Sequence, residues 1–442
     1  MHYYSFKQIG NIAYPILIST LMEQLIGTTD TAYLGRVGEV ELGASALGGI
    51  FFVVVFMLGM GFSIGAQILM SRRNGESNFR HIGGIFYHSV AFLLALALLL
   101  FVCTRAFAPI ILEHAIQSPR VLAATESYLH WRIYGFFFAF INLMFRGFYV
   151  ATTHTRTLTL NSVVMVLSNV VFNYVLIFGH WGCPALGIAG AAIGSCMAEA
   201  VSTVFFCVYT YGKIDVKKYA LNVFPHLKFS VIRSILNVSV WTMIQNFLSL
   251  STWFVYFICI EHLGEDALAA TNIIRNISAF TFMTVIAFAS TASTLVGNLM
   301  GQGEIESIRP MLRQVLRLTF VAMCPIVLLI ALFPDAIMSV FTADVHLHNT
   351  ARAALYVLLA SYLFTIPAQV LLHAVSGTGS TRAAFYMELL ALSFYCFYVF
   401  VAIYYYRMSL PWCWASEFVY SAVIFTTALL YMKGNKWKAK HI

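Results

Sequence analysis

Residues 45–71 read SALGGIFFVVVFMLGMGFSIGAQILMS, 27 positions without one Asp, Glu, Lys or Arg. A helix needs roughly 20 mostly apolar residues to cross the hydrocarbon core of a bilayer, and this run exceeds that length. A barrel strand would alternate apolar and polar positions over about 10 residues, whereas residues 50–58 are apolar throughout. The stretch therefore predicts a membrane-spanning helix.

Working outward, the same scan predicts spans at 12–34, 85–111, 126–150, 158–178, 186–209, 235–260, 268–296, 312–333, 353–375, 384–406 and 414–432. With 45–71 these make twelve, in two sets of six, and an all-α integral membrane fold. Composition agrees. Of 442 residues 60% are hydrophobic and 10% charged, with a mean hydropathy of +0.81, where soluble proteins carry about 25% charged residues. That excludes a compact soluble enzyme, a nucleic-acid binder or a disordered chain. The run 12–34 is longer than a signal h-region of about 7–15 residues and lacks a small-residue cleavage site, so it is expected to be the first span rather than a leader.

The formal charge of +8 is a topology signal. Arg36, Arg105, Arg120, Arg352 and Arg407 fall in the odd-numbered gaps or the span ends beside them, while 18 of the 26 Lys and Arg fall in the even-numbered gaps, the span ends beside them and the termini. The positive-inside rule makes that side cytoplasmic, so both termini are expected in the cytoplasm. The polar stretch 211–234 reads as a cytoplasmic linker between an N-lobe, 1–210, and a C-lobe, 235–442.

The two halves repeat. Gly38-Glu39 recurs as Gly264-Glu265, a shift of 226 (264 − 38), and the same shift pairs Asn11 with Asn237, Phe62 with Phe288, Gly75 with Gly301 and Thr155-Arg156 with Thr381-Arg382. A six-span shift preserves membrane orientation, so the repeats are parallel, as in transporters that work by alternating access.

Acids within spans are expensive and default to functional candidates. Glu23 and Asp30 lie two helical turns apart in the first span, and Pro15 permits a kink before them by leaving a carbonyl unbonded. Asp30 either sits solvated near the outer end or serves as a protonatable or cation-binding carboxylate. Asn169 and Asn173 share one face of the fifth span, either as interhelical glue or as ligands. In the sixth, Gly187, Gly190, Ala191, Ala192, Gly194 and Ser195 form a small-residue face, and Glu199 follows one turn later.

On these residues the chain resembles the multidrug and toxic compound extrusion (MATE) family, nearest its bacterial DinF-like branch. The resemblance is carried by Pro15 through Asp30 to Gly38, by Gly61-Phe-Ser-Ile-Gly65, by Phe145-Arg-Gly147 with Thr155-Arg156, and by Asn169-x-x-x-Asn173 with 187–195. Gly377-Thr-Gly379 extends it into the second half. It implies two six-helix lobes forming a V, and antiport of small organic cations and drugs against inflowing protons or sodium in a bacterial inner membrane. It also implies a transporter rather than an enzyme, without cofactor, acting as a monomer in lipid.

The resemblance further implies a cation-coupling site at Asp30, Asn169, Asn173 and Ser195, with Ala191 offering its carbonyl. The family's second carboxylate is replaced by Asn173, leaving one formal charge. Sodium would need these oxygens together; a proton needs only Asp30, since removal from water favours a neutral acid, and the proton is the preferred expectation. The shift sets Tyr256, Tyr395 and Val399 opposite Asp30, Asn169 and Asn173, so coupling is expected in the N-lobe. Arg146 in the fourth span is expected to pair with Glu23. Tyr33, Gln67, Glu199, Gln245 and Met283, with Glu23 and Arg146, are candidates to line a substrate cavity.

Other chemistry is not supported. The eight cysteines are scattered without a C-x-x-C and read as packing residues; His346-x-His348 lacks a third ligand. No phosphate loop marks a primary pump. A flippase for lipid-linked substrates is the alternative, but it would favour arginines in the cavity rather than Asp30 and Glu23.

Overall fold

Long uncharged runs leave the backbone no partner in lipid but itself, and helices satisfy every amide internally. The computed structural model describes residues 4–116, 118–342 and 344–438, and among these it contains helices and no strand. In chain order they are α1 (Phe6–Val37), α2 (Glu39–Gly75), α3 (Phe79–Ala115), α4 (Pro119–Arg132), α5 (Gly135–Ala151), α6 (Arg156–Phe178), α7 (Ile188–Lys213) and α8 (Phe229–Glu261). There follow α9 (Glu265–Gln302), α10 (Ile308–Leu332), the short α11 (Pro334–Met338), α12 (Val345–Gly377), α13 (Thr381–Phe400), the short α14 (Leu410–Trp414) and α15 (Ser416–Lys433). Eleven helical stretches are long and apolar enough to span; α4 and α5 together make a twelfth.

That fourth span departs from the expected straight run over 126–150. It is broken between α4 and α5 and bent by 51°. The helical ladder there tightens, with Tyr134 N–H donating to the Trp131 carbonyl (3.3 Å) and Phe136 N–H to Ile133 (3.2 Å), the i→i−3 pattern of a 3₁₀ turn. α1, by contrast, runs as one helix through Pro15.

Contacts divide the chain into two compact units, one of residues Ile18–Met243, the other of Met1–Leu17 with Ile244–Ile442. The division falls inside α1 and α8 rather than in the linker. Both boundaries are repeat-equivalent, since Leu17 and Met243 differ by the same 226 positions. In one unit the start of α8 is fastened to α2, Ser239 Oγ donating to the Phe62 carbonyl (3.1 Å) and Thr242 Oγ1 to that of Gly61 (2.6 Å). In the other, the start of α1 packs on α9, Tyr14 meeting Phe288 edge-on at 5.8 Å. Phe288 is the repeat-equivalent of Phe62.

The non-helical part of the linker, 214–228, is not freely solvated. Tyr219 is buried and meets Phe148 edge-on at 5.3 Å. Tyr87 donates its hydroxyl to the Leu221 carbonyl (2.5 Å), and the Lys228 amide donates to His88 Nε2 (2.9 Å). Two apolar anchors, Tyr219 and Leu221, hold this charged segment against α3 and α5.

Candidate functional site

The site within Ile18–Met243 begins with how closely α6 and α7 approach. Gly179 ends α6 in the left-handed conformation (φ 76°), the usual glycine C-cap, and the chain returns with Leu186 N–H bonded to the Leu176 carbonyl (2.9 Å). On α7, a Cβ at Gly190 would lie 2.4 Å from the Leu176 carbonyl oxygen, and one at Gly194 2.4 Å from Asn173 Oδ1. The spacing Gly190-x-x-x-Gly194 is the small-residue pattern that lets membrane helices meet backbone to backbone. Asn169 and Asn173 are consequently fully buried, and Ser195 nearly so.

These side chains close a ring with Asp30 of α1. Ser195 Oγ donates to Asp30 Oδ2 (3.0 Å), and Asn173 Nδ2 donates to Asp30 Oδ1 (2.5 Å). Asn173 Nδ2 also donates to Asn169 Oδ1 (3.2 Å), while Asn169 Nδ2 donates to Ser195 Oγ (3.2 Å). Asp30 thus receives neutral N–H and O–H donors from two helices, the arrangement that suits an ionised carboxylate. Asn173 Oδ1 is buried without a partner, an exception that native structures rarely leave unexplained. Ala191 is fully buried among Leu34, Ala44 and Tyr128 and takes no part in the ring.

The other two acids on α1 and α7 are matched by arginines. Arg146 Nη1 of α5 reaches both oxygens of Glu23 (2.7 and 2.9 Å), and its Nη2 donates to Thr20 Oγ1 (2.9 Å). The contact anticipated from sequence is therefore present, half-exposed. Arg132 of α4 grips Glu199 of α7 at 2.6 and 3.0 Å, with 11% and 7% of the two side chains exposed. Its guanidinium lies 3.7 Å from the centre of the Phe52 ring, a cation–π contact. Sequence reasoning missed Arg132; the signal was an arginine three residues before Gly135 inside a predicted span. Glu199, expected in a substrate cavity, has its carboxylate occupied by this pair instead.

Of the remaining candidates, Tyr33 meets Phe178 edge-on at 5.7 Å, a packing role, and Gln67 is buried in α2. Gln245 and Met283 belong to the other unit, where both are partly buried. There the repeat-equivalents of Asp30 and Asn169, Tyr256 and Tyr395, meet at a tilt in a hydrophobic cluster, their ring centres 6.0 Å apart. No copy of the ring exists in that cluster.

A family model described as MatE matches residues 15–175 and 242–401. A probable multidrug resistance protein NorM of Thermotoga maritima is 22% identical over 441 residues, 99% of this chain and 94% of that protein. One of Agrobacterium fabrum is 28% identical over 312 residues, 69% of this chain, and the chain spans 65% of that relative's length. Among solved structures, the outward-facing conformation of a multidrug resistance MATE family transporter of the MOP superfamily aligns with a TM-score of 0.89 at 17% identity, covering 97% of this chain and 95% of that one.

Proposed function

We propose that this chain, which belongs to the MatE family of multidrug efflux transporters, exports small organic cations in exchange for protons. It is a multi-pass membrane protein and not an enzyme. Its bacterial relatives and the distribution of basic residues support a place in the inner membrane with both termini cytoplasmic.

One observation carries the proton reading. Of the three acids that α1 and α7 place in the membrane, Glu23 and Glu199 are ion-paired with arginine, and Asp30 alone takes its hydrogen bonds from neutral groups. Hydrogen bonds to a charged acceptor contribute about 1.5–3 kcal/mol, neutral ones about 0.5–1.5. A proton on Asp30 weakens its bonds to Asn173 and Ser195 together, loosening α1 from α6 and α7. Sodium would require more rearrangement, because Asn173 and Ser195 present hydrogens, not lone pairs, to the carboxylate. The Asn173 amide would have to turn over to offer Oδ1.

The test is efflux of ethidium from proteoliposomes under a pH gradient or a sodium gradient, applied separately. A pH gradient alone should drive efflux, and Asp30→Asn should abolish it. Full-rate efflux by Asp30→Asn removes the role of Asp30; efflux driven by sodium alone removes the proton.

A further inference from the structure

The shift of 226 that relates the repeats sets Ser249 opposite Glu23 and Glu388 opposite Ser162. Acid and hydroxyl have exchanged helices. In Ile18–Met243 the acid is on α1, where Glu23 accepts from Ser19 Oγ (3.3 Å), itself bonded to Ser162 Oγ of α6 (2.7 Å). In the other unit the acid is on α13, and Ser249 Oγ of α8 donates to Glu388 Oε1 at 2.7 Å. The arginines have no counterpart. Arg146 and Arg132 correspond to Leu372 and Leu358, both buried hydrophobic residues.

Glu388 is 2% exposed, and its partners are neutral. Tyr420 of α15 donates its hydroxyl to both carboxylate oxygens (2.8 and 2.9 Å), and Gln369 Nε2 of α12 donates to that hydroxyl (3.4 Å). The titratable groups that meet Glu388 or its partners from the packed helices include no fixed cation. On α15 they are Tyr420 and Glu417, which acts on Tyr420; on α12, His373 turns Nδ1 to the Gln369 carbonyl (3.0 Å); α8 contributes Ser249, which does not titrate. Among the described residues no lysine or arginine forms an ion pair with Glu388.

We propose that Glu388, with Ser249 and Tyr420, is a second proton-binding site, lying wholly within the unit of Met1–Leu17 and Ile244–Ile442 and separate from the Asp30 ring. An ionised carboxylate removed from water and left without a cation is disfavoured, and a charge-compensating ligand removes that penalty. The hydroxyls close on the acid at 2.7–2.9 Å, which leaves no room for an organic ammonium, whereas a proton needs none. The step is a simple transfer. Hydronium gives a proton to one Glu388 oxygen and leaves as water, and the reverse restores the carboxylate. Ser249 and Tyr420 both donate and accept, so they can bond either form. The site does not depend on Asp30 being the coupling group.

The test is infrared difference spectroscopy of the full chain in proteoliposomes, titrated with pH and without substrate. The wild type should show a carboxylic C=O band that is lost in Glu388→Gln and retained in Asp30→Asn. Tyr420→Phe, which keeps the acid but removes a donor, should move that band. A Glu388→Gln spectrum that superimposes on the wild type at every pH overturns the proposal, as does an unmoved band in Tyr420→Phe. Ethidium efflux by Asp30→Asn, read separately, reports on the coupling role of Asp30 and not on this site.

Discussion

Arg132 holds both carboxylate oxygens of Glu199 across α4 and α7, at 2.6 and 3.0 Å, directly at the point where the fourth span is bent. The pair is buried on both sides, so removing one partner leaves a stranded charge. Arg132→Leu should lower stability by about 3–5 kcal/mol, read as a fall in melting temperature in detergent. Replacing both, Arg132→Leu with Glu199→Phe, copies the repeat-equivalent Leu358 and Phe425 and should recover most of the loss. A double variant no more stable than the single would show that the two charges are not coupled.

Gly135 is the condition for that pair. A Cβ there would lie 2.2 Å from Arg132 Nη1 and 2.4 Å from Glu199 Oε2. Gly135→Ala should destabilise by about 1–3 kcal/mol, the usual range for overpacking. The loss should not add to that of Arg132→Leu, because both act on one contact. Strict additivity in melting experiments would disprove the shared cause.

Asn173→Asp restores a second carboxylate beside Asp30, facing Gly194. Two adjacent acids repel unless a cation lies between them. The variant should therefore gain a sodium-dependent rise in melting temperature, since a ligand that binds only the folded state stabilises it in proportion to occupancy. Equal melting in sodium and potassium salts would count against a cation site at this ring.

Burial, followed by the charge of Asp215, pushes the Tyr219 hydroxyl above its ordinary range. A group whose folded value is raised stabilises below its unfolded value, near 10 for tyrosine, and that stability is lost as pH climbs through the folded one. The linker should therefore loosen in strong alkali, seen as a fall in melting temperature above pH about 10. Tyr219→Phe should flatten that fall; an unchanged alkaline profile would place its origin elsewhere.

Much of this was legible in the chain itself. Twelve apolar runs, the shift of 226 and the Glu23–Arg146 contact could be read because hydropathy, repetition and charge pairing are each local or pairwise signals. The ring was legible through Asp30 and the Asn169/Asn173 spacing, which place polar groups on otherwise apolar faces. Arg132 was not, since nothing in its neighbours announces a bend, and its contact with Glu199 depends on tertiary space left by Gly135. Nor could sequence reveal that the compact units divide inside α1 and α8, because helix continuity hides where a helix changes its packing partners. Glu388 falls within the apolar run 384–406, but its neutral surroundings emerge only when three distant helices are brought together.

Because the two repeats exchange equivalent opening segments, Met1–Leu17 and the stretch of α8 up to Met243, a single repeat made alone would carry a segment that belongs to the other compact unit and lack the one that completes its own.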